Sequence, residues 1–172
     1  MTSRILLLLF LFIGLLACDN TSETKDTKSL LVQEESEIVL EKLLKLNTKT
    51  SKKFAEWKDY KDFNNFLNQF IKTTASEALS NAKELNTLAL QLKDSIKIDQ
   101  LKTPALKVRL NVLQNETMRL EDMVDISNLK NTAVEEQLKK IMAAFNATNA
   151  KLNNMIIQQE LENDLKKLND SI

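Results

Sequence analysis

The sequence has no histidine, one glycine (Gly14), one proline (Pro104) and one cysteine (Cys18) in 172 residues. Each shortage removes a class of protein. Without His, the commonest general acid/base and the commonest metal ligand are missing. A single Cys allows no disulfide within the chain and no thiolate metal cluster. Past Gly14, no residue takes positive φ as cheaply as glycine does. Two-residue hairpins and phosphate-cradling loops lose their usual residue. An all-β fold and a nucleotide-binding α/β fold are therefore disfavoured, and helices joined by short polar loops fit best. An enzyme would be limited to carboxylates, Lys or Tyr, so the composition reads as non-catalytic, with no cofactor and no metal.

An excess of one charge is also lacking. There are 24 basic and 24 acidic residues, so the basic footprint of a nucleic-acid binder is not there. Apolar residues make up 43% and charged residues 28%, a balance that suits a folded chain rather than a self-repelling one. The length suits one domain.

What is present begins at the N-terminus. Arg4 and the amino group form a short positive region. Residues 5–17, ILLLLFLFIGLLA, then form an apolar run. It is too short for an ordinary spanning helix, which needs about 20 residues, and suits a secretory signal. It ends in Leu15-Leu16-Ala17-Cys18. This resembles the lipobox of bacterial lipoproteins: an aliphatic residue three before the Cys, a small residue before it, then the Cys. The resemblance covers residues 1–18 only. It implies a diacylglycerol on Cys18, cleavage after Ala17 and acylation of the new amino terminus, with palmitate among the chains. Two or three acyl chains anchor stably where one is marginal. The implied location is the bacterial cell envelope, the outer membrane favoured, the leaflet and face left open. Asp19 resembles an inner-membrane retention signal in some Gram-negative bacteria, a rule that other groups do not follow.

The expected organisation is a signal peptide over 1–17, an acylated flexible tether over 18–28 and a helical domain over 29–172. Ser29 is the expected N-cap of a short first helix carrying Leu30, Leu31, Ile38, Val39, Leu43, Leu44 and Leu46, broken by NTKTS at 47–51. A second helix is expected from about 51 to 97. Its seam is Ile71, Ala75, Ala78, Ala82, Leu85, Ala89, Leu92 and Ile96, with steps of four and three as in a heptad. Thr103-Pro104 is expected to open the third helix, with the seam Leu106, Leu110, Leu113, Thr117, Leu120 and Val124. After a loop at 125–131, Thr132 and Glu135 predict a capping box. The fourth helix then carries Val134, Leu138, Ile141, Phe145, Thr148, Leu152, Met155 and Gln159 to about Asn169. Together these predict an all-α fold. It is an elongated antiparallel bundle with coiled-coil-like heptads, three long helices plus a shorter N-terminal one. The same heptads could serve a multimer.

The aromatics are concentrated: Phe54, Trp57, Tyr60, Phe63, Phe66 and Phe70 fall within 17 residues. Phe54, Trp57, Tyr60 and Phe63 read either as a docking patch for an envelope protein or the membrane interface, or as a packed end of the bundle. Glu34, Glu35, Glu37 and Glu41, and the pairs Glu135/Glu136 and Glu160/Glu162, read as solvated faces rather than cation sites. Lys52, Lys53, Lys58 and Lys61 read as solvated lysines beside the aromatics. The leading expectation is a lipid-anchored envelope protein acting as a non-catalytic interaction or structural module, held to the membrane through Cys18. Its partners would be an envelope protein or further copies of itself, with no nucleic acid. The alternative is a small-molecule or lipid carrier, with Met118, Met123, Met142 and Met155 lining a groove between helices.

Overall fold

The computed structural model describes residues 36–96 and 101–171. Over this stretch the fold is all-α, with one short two-stranded ladder. Residues 36–47 are not helical, contrary to the expected first helix. They run extended as a strap, and the expected cap at Ser29 lies outside the described residues. Ile38 and Leu40 are buried while Val39 between them faces outward. That is the alternation of a strand, and β-branched Ile38-Val39 suits it. Strand β1 (Ile38–Val39) pairs antiparallel with β2 (Lys72–Thr73), Ile38 opposite Thr73. Leu40 N–H donates to the Ile71 carbonyl at 2.8 Å and extends the ladder.

The expected second helix over 51–97 is divided. Helix α1 (Thr48–Lys53) is capped by Asn47, whose side chain accepts from Thr50 N–H. A turn at 54–56 leads to α2 (Lys58–Asn68), and a 3₁₀ turn (Gln69–Ile71) passes into β2. Helix α3 (Ala75–Ser80) starts in a full capping box: Thr74 accepts from Glu77 N–H, and Glu77 accepts from Thr74 N–H. Asn81 ends α3 and opens α4 (Ala82–Asp94). A continuous helix would have left the strap without a partner strand and Thr74 uncapped. The seam nonetheless survives the breaks: Ala75, Ala78, Ala82, Leu85, Ala89 and Leu92 are all buried.

Helix α5 (Pro104–Asp122) begins as expected, Thr103 accepting from Leu106 N–H with Pro104 in the first turn. A 3₁₀ turn (Met123–Asp125) and a bend lead into α6 (Asn131–Asn169), 39 residues or roughly 58 Å long. In that bend Asn128 takes φ 57°, a left-handed conformation that Asn tolerates better than most residues. Helix α6 opens after Lys130 with no side-chain cap. The expected Thr132–Glu135 box does not form, because Thr132 is already inside the first turn and Glu135 pairs with Lys139 at 2.7 Å.

Helices α4 and α5 are antiparallel. Asn86 bonds Thr117 and Glu121, while Lys93, further along, bonds Gln114. Helix α5 packs on α6, where Gln137 donates to the Glu116 carbonyl and carboxylate. The core is the meeting of these faces: Leu85 and Leu92, Leu106 to Leu120, Leu138, Ile141, Phe145 and Leu152. The expected seam of α5 is buried down to Leu120, and only Val124 at its end is exposed.

Candidate functional site

The most specific polar arrangement among the described residues fastens the strap to α6. Asn146 Oδ1 accepts from Leu44 N–H at 2.7 Å. Asn149 Nδ2 donates to the Leu44 carbonyl at 2.7 Å. Asn153 Oδ1 accepts from Asn47 N–H at 2.9 Å, and its Nδ2 donates to the Lys45 carbonyl at 3.2 Å. The register follows from geometry. Asn146 to Asn153 is seven residues of helix, about 10 Å at 1.5 Å each. Leu44 to Asn47 is three residues of extended chain, also about 10 Å at 3.3 Å each. A side-chain amide carries both a donor and an acceptor, so an Asn ladder can stand in for a neighbouring strand. The strap backbone, denied helical bonds, is satisfied this way.

The ladder is tied to the aromatic core through Asn149, which is fully buried. Its Oδ1 accepts from Tyr60 O–H at 2.9 Å. The Tyr60 ring stacks on Phe145 with centroids 5.6 Å apart, and Phe63 lies 5.1 Å from the same ring. Burial pushes the Tyr60 hydroxyl well above its ordinary pKa. Trp57 sits 5.6 Å from Tyr60 and 5.8 Å from Phe54, and its Nε1–H donates to Ser95 Oγ at 2.8 Å. Phe54, Trp57, Tyr60 and Phe63 are all buried. They pack inward as part of the core rather than facing solvent.

The remaining candidates are solvated. Glu37 pairs with Lys72 at 3.1 Å and Glu160 with Lys49 at 2.8 Å. Lys58 pairs with Asp62, and Lys53 reaches Gln159. Lys52 and Lys61 are exposed. Glu34 and Glu35 lie outside the described residues, as does Cys18. Among the described residues no group of three or more acidic or Cys side chains is placed to hold a metal. No described helix is long and apolar enough to cross a membrane. The methionines are dispersed: Met142 is buried, Met123 and Met155 half-buried, Met118 exposed. Met155 lines a cleft of about 330 Å³ together with Leu101, Ile156, Thr103, Lys151 and Gln159.

The Asn ladder was not anticipated. A signal existed: Asn146, Asn149 and Asn153 recur at three and four along a helix, although Asn is a poor helix former. No family model, curated protein or solved structure matches the chain.

Proposed function

We propose that this protein is a lipid-anchored cell-envelope protein working as a non-catalytic interaction or structural module, with the outer membrane its favoured location. The observation that carries this reading is Leu15-Leu16-Ala17-Cys18 at the end of a short apolar run preceded by Arg4. In it, Cys18 is the acylated residue and residues 18–28 are the tether. The way the described residues spend their polar groups supports a module without chemistry. The ladder amides hold backbone, Tyr60 is tied to Asn149, and Glu135, Glu160 and Lys58 sit in exposed ion pairs.

In this reading α4, α5 and α6 are a heptad-packed, coiled-coil-like antiparallel core, and its rigidity is what presents the outer faces to partners. Polar groups on that core, Asn86 with Thr117 and Gln137 with Glu116, would fix the register of the helices.

The test is metabolic labelling with a fatty-acid analogue. Label on the wild-type chain, lost in Cys18→Ala together with membrane association, is the expected outcome. Label that persists in Cys18→Ala overturns the anchor.

A further inference from the structure

The last three turns of α6 carry an apolar stripe that the fold leaves uncovered. Ile157, Leu161, Leu165 and Leu168 are 53%, 61%, 53% and 61% exposed. Every residue from 161 to 171 is exposed. On a helix of 3.6 residues per turn these four fall within about 80° of one another. The buried face of the same helix, from Val134 through Phe145 to Ile156, centres about 180° away. The stripe is therefore no overrun of the core seam. The seam's own continuation is polar, through Gln159, Asn163, Lys166 and Asp170. Apolarity changes sides at Ile156–Ile157, and a straight helix cannot turn the new side onto its own bundle.

We infer that this stripe is the pairing face for a second copy of the chain, the two α6 ends lying antiparallel about a two-fold near residue 163. The inference rests on the interaction-module reading above for its purpose, but not on the lipid at Cys18. The sequence arithmetic selects the occupant and its direction. About that axis Ile157 faces Leu168 of the other copy and Leu161 faces Leu165, so each stripe residue meets an apolar one. The flanking charges agree. Glu160 of each copy comes alongside Lys167 of the other, giving two symmetric attractive pairs. A parallel pair would instead set Glu160, Glu162 and Asp164 beside their own counterparts. Glu162 and Asp164, one residue either side of the axis, each lie near their own copies in the antiparallel arrangement as well. Lys167 neutralises Asp164 at 3.5 Å within the chain, and only the antiparallel arrangement gives Glu160 an opposite charge across the pair. Isologous pairing of one patch with itself is the commonest way for a chain to self-associate.

Disulfide trapping in cells tests this with the full chain. Cells make the Leu161→Cys chain, the Leu165→Cys chain, or both together, with the wild type as control for Cys18. An interchain disulfide joining 161 to 165, formed only when both variants are present, is the expected result. Disulfides within either variant alone indicate parallel pairing and overturn the proposal. So do disulfides to another protein, or no interchain disulfide in any strain. Sedimentation of the purified full chain gives a second readout. The Leu161→Ser/Leu165→Ser variant should associate about a thousand-fold more weakly or worse, with thermal melting equal to that of the wild type at dilutions where neither chain pairs. Equal sedimentation of variant and wild type, or a melting temperature lowered in the variant at such dilution, overturns it. The same trapping in Cys18→Ala separates the two readings. A trapped pair without acylation leaves the pairing standing and removes the anchor. Acylation without a trapped pair in the parent strain does the reverse.

Discussion

At Asn149 the strap and the aromatic core share one side chain. Truncation to Ala removes the donor to the Leu44 carbonyl and the acceptor for Tyr60 O–H. Each buried group left unpaired costs about 1–3 kcal/mol. Asn149→Ala is thus expected to lose about 2–4 kcal/mol in urea denaturation, and a loss below about 1 kcal/mol would mean the ladder does not hold the strap. Thr50 offers the opposite case. Its hydroxyl is buried without a hydrogen-bond partner. Thr50→Val removes that group at similar shape, so stability should stay level or rise by roughly 1 kcal/mol. Tyr60 makes stability depend on alkali. Its folded-state pKa is raised above 10.0 by burial, so the native state favours the protonated hydroxyl. That contribution is full below about pH 10 and is lost as pH rises towards the folded value. Tyr60 is the chain's single tyrosine, and its tyrosinate absorbance should appear later than in the unfolded chain. A native titration matching the unfolded one would contradict its burial.

At the level of elements, the capping box at Thr74 decides where a long helical pattern stops. Thr74→Ala removes one cap bond and frees Glu77, which also accepts from Thr73 Oγ1 at 3.2 Å. A cost of about 1 kcal/mol is expected on denaturation, with loosening of the β1–β2 ladder seen as faster amide exchange at Leu40. Unchanged exchange there would show that the box does not set the break. This element also shows what the sequence made legible. The seam from Ala75 to Leu92 was readable from its spacing, because burial on one face is a local periodicity. The break inside it was also written locally, in Thr74-x-x-Glu77, but the heptad outweighed it. The strap had no such signal. Ile38-Val39-Leu40 is too short a run to separate strand from helix. The groups that satisfy its neighbours Leu44 to Asn47 lie more than 100 residues away on α6. The aromatic cluster was visible as a cluster, and only its partners, Phe145 and Asn149, show that it faces inward.

Across the domain, stability is unevenly distributed along α6. Residues 141–152 sit in the core, while 161–169 touch nothing in their own chain that buries them. Isolated helices shorter than about 12–15 residues are marginal in water. At high dilution the amides of 161–169 should exchange fast and those of 141–152 slowest, with protection of the tail rising with protein concentration. Tail amides as protected as the core at every concentration would mean that the tail is stabilised within a single chain.

The strap and α6 run in the same direction, Leu44 against Asn146 and Asn47 against Asn153. A pull on residue 36 along the helix axis, away from the α6 tail, loads the ladder lengthwise, and its bonds share the tension as an overlapped joint does under shear. A pull at right angles opens the β1–β2 pair first and then the ladder one bond at a time, at lower force. The attachment of this domain to whatever precedes it is in that sense directional, stiff along one axis and peelable across it.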